Sequence, residues 1–367
     1  MAALLPPDSQ VIGPVADTPS PSVLKRFRSF GPRLVASLAI AAVLIWVLQR
    51  GGLPVIPGRE TFVDLSWSAV FAYLILTFVA TALRTYRWVH LLRPVRAGLS
   101  TPLVFGISLV GFGAVVFAPL RAGEVVRPWL AARDTEVSFM QASGTVAAER
   151  ILDGLILTII MGVSLALAVP LSPLPDHIGQ LAVPVALVPA IASSALVVFG
   201  LAFCAMAAFY FFHDWVQKLL HLTLFRFSPR LAEWAMGTME RVADGFRFLP
   251  SRRHGGAFVR DTLGYWIATA AATWLLLEGT GASADVAQTC VIMGVMGLGS
   301  LLPSAPGFFG TYQLGAYCGL ALFFPESTVL SAGAAFVFLS YTIQLAVTVV
   351  YFVAGLMLMA RVKQARA

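Results

Sequence analysis

The chain has 367 residues, of which 58% are hydrophobic and 12% are charged, and its formal net charge is +7. Apolar runs of 18 or more residues recur along it, which excludes a soluble globular protein and indicates a polytopic helical membrane protein. No polar stretch reaches the roughly 100 residues of a separate soluble domain. The positive net charge fits cytoplasmic loops that face anionic lipid, and nucleic acid is not an expected partner.

The predicted elements are all helical and begin after a polar tail. Residues 1–22 are rich in Pro, Ser and Ala and predict a disordered N-terminal tail, and residues 23–367 form one transmembrane domain. Within this domain, residues 213–256 predict an amphipathic helix on the cytoplasmic surface. Full spans are predicted at about 34–48, 66–88, 145–169, 184–211, 258–278 and 329–359.

The basic residues predict the orientation of these spans. If six spans leave both termini in the cytoplasm, the cytoplasmic segments hold 22 of the 25 Lys and Arg residues. Cytoplasmic loops carry such an excess in multi-pass membrane proteins. We therefore predict a multi-pass protein with both termini in the cytoplasm.

Two further apolar segments are shorter and are interrupted by Pro and Gly, at about 101–119 and 286–324. In the predicted topology each begins and ends on one side of the membrane, and the two enter from opposite sides. Irregular backbone at membrane depth persists only inside protein or beside a wet cavity. The pair therefore predicts two re-entrant broken hairpins in an inverted repeat, with eight ordinary kinked spans as the alternative.

A group of charged residues adjoins the first interrupted segment. Ionisable groups near lipid are costly and are kept when they are paired, hydrated or used. These charges sum to zero, which suits an ion-pair network that locks the hairpin to the next helix. Alternatively, an arginine leaves its carboxylate to bind phosphate. The group consists of Arg121, Glu124, Arg127, Glu149, Arg150 and Asp153.

Two other motifs are candidates for contact with a polar headgroup. Arg84 and Arg87 end the second predicted span, where basic and aromatic residues are commonly interface anchors, and a lipid headgroup is the other ligand considered. The segment from Pro303 to Gly310 frees backbone groups, and a half-helix beginning near Thr311 would direct its positive end at the break. A tight hairpin tip without a ligand is the alternative.

No motif supports catalysis or a cofactor. The five histidines and three cysteines are scattered without metal-ligand spacing, and no nucleophile elbow, P-loop or dinucleotide fingerprint is present. The sequence therefore predicts no catalytic residue, no metal site and no cofactor.

Three blocks of residues resemble the flippase-like transmembrane domain of lysylphosphatidylglycerol synthases and their stand-alone relatives. The blocks are Arg84–Leu92, Gly111–Asp153 with its Pro119-Leu-Arg-Ala-Gly-Glu124 core, and Leu302–Gly310. The resemblance covers about residues 30–360 and implies a bacterial inner-membrane protein that moves, or helps move, lipids between leaflets. It adds Pro306, Gly307, Gly310 and Gln313 as candidate substrate-binding residues.

The chain departs from this family at one position, because many members carry Glu where Gln313 stands. It also has no room for a soluble aminoacyl transferase domain, so lysyl transfer is not implied. The leading hypothesis is translocation of an anionic or lipid-linked headgroup. The alternatives are an enzyme, or a partner of lipid-modifying enzymes, that acts on a polyprenyl- or hopanoid-type substrate, and a non-catalytic assembly scaffold.

Overall fold

A computed structural model of the chain describes residue 35 and residues 39–118, 123–183, 185–211, 252–302 and 304–365. These residues form an all-α polytopic membrane protein, and their only strands are a short antiparallel pair, His177–Ile178 with Leu181–Ala182. Helices at Trp67–Leu92, Phe139–Leu167, Val185–Ala208 and Glu326–Gln364 are long and apolar enough to cross a membrane. The predicted tail at 1–22 and most of the predicted amphipathic segment at 213–256 lie outside the described residues.

The helices agree with the predicted spans to within a few residues at most ends. They are α1 (Ala39–Arg50), α2 (Trp67–Tyr86), α3 (Trp88–Leu92), α4 (Thr101–Phe117), α5 (Val126–Asp134), α6 (Phe139–Leu167), α7 (Val188–Phe211), α8 (Arg252–Thr280), α9 (Val286–Gly299), α10 (Thr311–Ala321), α11 (Glu326–Leu330) and α12 (Ala332–Gln364). Short 3₁₀ turns occupy Arg59–Phe62, Val185–Leu187 and Pro306–Phe308.

Helix α6 begins earlier than predicted because polar residues cap its first turn. Ser138 accepts a hydrogen bond from the Gln141 backbone N–H, and the Gln141 side chain accepts one from the Ser138 backbone N–H. Asp285 and Gln288 make the same reciprocal pair at the start of α9. Each pair satisfies backbone donors that a helix start leaves free.

Helix α8 is less apolar than the four candidate spans, but it packs along one of them. Gly279 lies against Ala69 near the start of α2, and Gly264 lies against Leu83 near its end. The two helices are therefore antiparallel and in contact over most of the length of α2. The prediction of a span at 258–278 falls within α8.

The first predicted hairpin is larger than its predicted bounds of 101–119. Helix α4 is continuous from Thr101 to Phe117, and a helix of this length rises about 25 Å without turning back. The return is made by α5, because Gly111 of α4 packs on Arg127 and Ala114 packs on Gly123 just before α5. The two described arms of the hairpin are therefore α4 and α5.

The second interrupted segment is a helical hairpin within its predicted bounds. Helices α9 and α10 are antiparallel, since Gly315 lies against Val295 and Gly319 lies against Ile292. The chain between them contains the 3₁₀ turn at Pro306–Phe308, and α10 begins at Thr311 as predicted. Glycines at the interface let the two helix backbones approach closely, as in other membrane helix pairs.

The two hairpins approach the middle of α12 from its opposite ends. Helix α4 is antiparallel to the end of α12, with Gly106 against Met359 and Gly113 against Phe352. The turn of the second hairpin reaches α12 from the other direction, where a Cβ added at Gly307 would lie 2.7 Å from the Tyr341 hydroxyl. The hairpins also contact each other, through α4 and the Pro306–Phe308 turn.

Candidate functional site

Arg87 joins three helices at the centre of a buried ion-pair network. It stands between α2 and α3 and is 0% exposed. Its Nη2 lies 2.5 Å from Asp153 Oδ2 and 3.3 Å from Glu149 Oε1, both on α6. Its Nη1 donates to Thr262 Oγ1 of α8 at 3.3 Å. Arg87 therefore cannot be an interface anchor that reaches toward solvent, which was the more ordinary interpretation of its sequence position.

Glu149 is shared by three arginines. Besides Arg87, it has Arg127 Nη2 at 2.9 Å from Oε2 and Arg150 Nη2 at 3.3 Å from Oε1, and the carboxylate is fully buried. The Arg127 contact is close enough for an ion pair but is not aligned as a hydrogen bond. Arg127 belongs to α5, so Glu149 ties the first hairpin to α6. This contact realises the predicted network between the hairpin and the next helix.

Arg84 differs from these three arginines. Within the described part of the chain, no carboxylate lies within ion-pair distance of its guanidinium group, and its Nε has no hydrogen-bond partner. Its Cζ stacks over Phe112 at 4.8 Å and over Tyr265 at 5.4 Å from the ring centroids. Aromatic faces attract a guanidinium but leave its charge uncompensated.

Phe112 of α4 lies at the meeting point of several arginines. The Cζ atoms of Arg84, Arg127 and Arg150 are 4.8, 4.7 and 5.2 Å from the centroid of its ring. Three like charges that surround one ring repel each other, so only opposite charge can offset the cost of this arrangement. Glu149 contacts Arg127 and Arg150, whereas no carboxylate among the described residues is within ion-pair distance of Arg84.

The predicted charged group contains two more residues, Arg121 and Glu124. Arg121 lies outside the described residues, and Glu124 is half-buried in the turn before α5. Their predicted role in headgroup binding therefore stays a prediction.

The second hairpin turn has an unusual backbone. Gly307, Phe308 and Gly310 have φ values of 78°, 57° and 88°, and such a φ is costly for a residue with a side chain. The buried Gln313 accepts a hydrogen bond from the Gly310 N–H at 2.7 Å through its Oε1. A Glu side chain at position 313 could accept the same hydrogen bond. The cap at the start of α10 therefore does not require Gln in place of the Glu that many members of the resembled family carry.

A cavity of about 290 Å³ connects the arginine network to the second hairpin. Arg84, Arg150 and Asp153 line it on one side, and Phe308 and Tyr312 line it on the other. Pro306, Gly307, Gly310 and Gln313 are not among its lining residues, although they form the turn that positions Phe308. On α12 the lining runs from Phe336 to Tyr351, which corresponds to about 22 Å of helix.

Polar side chains line this cavity at helical spacing. They are Thr77, Thr81 and Arg84 on α2, Tyr265, Thr269 and Thr273 on α8, and Ser340, Gln344, Thr348 and Tyr351 on α12. These stripes were not predicted from the sequence, although polar residues three or four positions apart within an apolar span are a recognisable signal. The stripes run along three helices and place polar groups in a cavity whose lining is otherwise largely apolar.

An apolar groove adjoins the polar cavity. It has a volume of about 430 Å³ and is lined by α7 and by the end of α9 and the turn after it. Phe199 and Leu301 line both the groove and the cavity. The one polar residue in the groove is Ser194, whose hydroxyl donates to the backbone oxygen of Ala190. The cavity with its polar stripes and the apolar groove thus share a wall, which Phe199 and Leu301 form.

A second buried polar pair lies beside the network. His90 Nε2 is 3.0 Å from Asp261 Oδ2, and Arg260 Nη2 is 2.7 Å from Asp261 Oδ1. The sequence analysis treated His90 as scattered and did not predict this link between α3 and α8. Among the described residues, no cluster of three His, Cys, Asp or Glu side chains could hold a metal ion.

The family model described as the lysylphosphatidylglycerol synthase TM region matches residues 34–348. The chain belongs to this family. The match includes the arginine network, both hairpins and the described cavity lining except Tyr351, and it confirms the resemblance drawn from the three sequence blocks. A search of curated proteins and a search of solved structures find no match.

Proposed function

We propose that the chain translocates, or helps to translocate, a lipid with an anionic or lipid-linked polar headgroup between the leaflets of the bacterial inner membrane. The observation that carries this proposal is the polar cavity that shares a wall with an apolar groove. A headgroup occupies the cavity and an acyl or isoprenoid chain occupies the groove. A lipid needs both environments at once.

The dimensions of the cavity support this assignment. Its lining covers about 22 Å of α12, compared with about 30 Å for the hydrocarbon core of a bilayer. Its volume of about 290 Å³ is at the lower end for small-ligand sites. This space suits a phosphorylated headgroup, and the tails remain outside it.

The positions of the two hairpins support movement through this site. Both reach the middle of α12 from opposite ends, and broken helices at mid-depth are typical of transporters. In our proposal the cytoplasmic termini place the arginine network toward the inner leaflet. The headgroup then passes from Arg84 and Arg150 along the threonine stripes toward Tyr312.

Two matched substitutions on α12 test the proposal. Thr348 lines the cavity and Thr342 does not, yet each hydroxyl donates to the backbone oxygen four residues earlier. In proteoliposomes with fluorescent phospholipids, Thr348→Phe is expected to lower the initial rate of lipid movement at least roughly tenfold, because its ring fills the path. Thr342→Phe is expected to leave the rate within about twofold. Equal rates in the two variants would contradict passage through the cavity.

The same preparations address the alternative of an enzyme or enzyme partner. Mass spectrometry of the supplied lipid, with and without the protein, should show no covalent change. A new lipid mass that disappears in Glu149→Gln would favour an enzyme instead.

A further inference from the structure

We propose that the cavity selects headgroups whose phosphate carries two negative charges, as a phosphomonoester or a diphosphate does. That the ligand is a lipid rests on the proposed function. That its phosphate carries two negative charges rests on the side chains that surround Phe112 and on their ion pairs.

The arginine network is not electrically balanced. Four arginines meet two carboxylates: Arg84, Arg87, Arg127 and Arg150 against Glu149 and Asp153. Within this group of six described side chains, two positive charges are therefore in excess, in a region where unpaired charge is costly. A ligand with two negative charges would neutralise the site, and a ligand with one would leave it positive.

The two arginines that carry the excess charge line the cavity, together with Asp153, which is paired with Arg87. Arg87 and Arg127 are buried and committed to carboxylates, and neither lines the cavity. Arg84 and Arg150 do line it, and the Nε of each is buried without a hydrogen-bond partner. Their guanidinium groups stack on the same ring of Phe112. Two guanidinium forks can hold one phosphate through several charge-assisted hydrogen bonds.

The test compares two lipids that differ by one charge. Dihexanoyl phosphatidic acid is a phosphomonoester with close to two charges at pH 8, and dihexanoyl phosphatidylmethanol has one charge because a methyl ester replaces the second ionisable oxygen. Binding to the full chain in detergent is measured by isothermal titration calorimetry. We expect the phosphomonoester to bind at least about tenfold more tightly.

Variants locate the source of this preference. Arg84→Gln and Arg150→Gln should each bring the affinity ratio of the two lipids close to one, because each removes one of the excess charges. Glu149 keeps all three arginine partners in Arg84→Gln and keeps Arg87 and Arg127 in Arg150→Gln, so neither variant should unfold the network. Arg96→Gln is the control, since Arg96 pairs with the exposed Glu136 away from the cavity, and it should keep the wild-type ratio. Equal affinities for the two lipids in the wild type, or an unchanged ratio in Arg84→Gln, would overturn the inference.

Inorganic pyrophosphate separates a lipid from a soluble anion. It carries the same phosphate chemistry without a chain, so we expect it to bind at least about tenfold more weakly than the phosphomonoester lipid. Pyrophosphate that binds as tightly as the lipid, and still depends on Arg84, would support the charge selection and contradict lipid as the substrate. If phosphatidic acid binds through its tails alone, its affinity should be the same in Arg84→Gln as in the wild type. That result would contradict the charge selection but not lipid as the substrate.

Discussion

Arg87→Met is the substitution whose effect the structure defines best. Methionine keeps an unbranched apolar stem but removes the guanidinium, and the site is fully buried. Glu149 retains Arg127 and Arg150, whereas Asp153 forms an ion pair with Arg87 alone among the described residues. The main cost of Arg87→Met is therefore a buried carboxylate that has lost its partner.

The expected loss of stability follows from this geometry. Breaking a buried ion pair by removal of one partner costs about 3–5 kcal/mol. The melting temperature should fall by roughly 5–10 °C, because one kcal/mol corresponds to about 2 °C in a chain of this size. The measurement is thermal unfolding in detergent with a thiol-reactive fluorogenic dye, since the half-buried Cys290 and Cys318 become reactive on unfolding.

A second substitution isolates the cause. Arg87→Met with Asp153→Leu removes both charges of the pair, and replacement of a buried pair by apolar residues is often nearly neutral. The double variant should recover more than half of the lost melting temperature. Arg84→Gln is the control and should stay within about 2 °C of the wild type, because Arg84 has no carboxylate partner in the described network. No recovery in the double variant, or an equal loss in Arg84→Gln, would refute the reasoning.

Four further substitutions, of which Gly256→Ala is a control, test the packing of the two hairpins and the end of α5. Gly123→Ala should prevent stable folding, because its Cβ would lie 2.1 Å from the Ala114 carbonyl. Gly256→Ala should be tolerated, because its Cβ would meet nothing within 4 Å. The yield of monodisperse protein measures both outcomes. Tyr317→Phe should cost about 1 kcal/mol in thermal unfolding, since the Tyr317 hydroxyl donates to the Pro54 oxygen at 2.7 Å. The hydrogen bond from Arg133 lowers the pKa of Asp134, so its pairing stabilises the fold above the ordinary Asp pKa and is lost as pH falls through the lowered pKa. The difference in melting temperature between wild type and Asp134→Asn should therefore be constant near pH 6 and shrink below about pH 4; a constant difference down to pH 3 would argue against this assignment.

Much of the fold could be predicted from the sequence because the lipid bilayer restricts which backbone structures can cross it. Apolar runs must be helical in lipid, since every backbone polar group needs a partner within its own segment. The predicted spans at 66–88, 258–278 and 329–359 therefore correspond to α2, α8 and α12. The second hairpin was predictable as well, because its prolines and glycines interrupt the helix pattern locally.

The first hairpin was predicted too short for a related reason. Its return helix α5 is short and carries Arg127, Arg133 and Asp134, so composition does not mark it as a membrane element. Only its packing against Gly111 of α4 and its ion pair with Glu149 hold it beside the apolar helix. Burial of this kind depends on partners that are distant in the chain.

The amino-acid sequence alone determined that this is a helical membrane protein with charges in costly places, because those properties are local and additive along the chain. The tertiary structure decided which charges are paired and which are in excess. Arg84 and Arg87 are three residues apart and chemically identical, yet Arg87 contacts two carboxylates whereas Arg84 lines the cavity. That difference arises from helices α6, α8 and α12, whose positions relative to α2 no local pattern encodes.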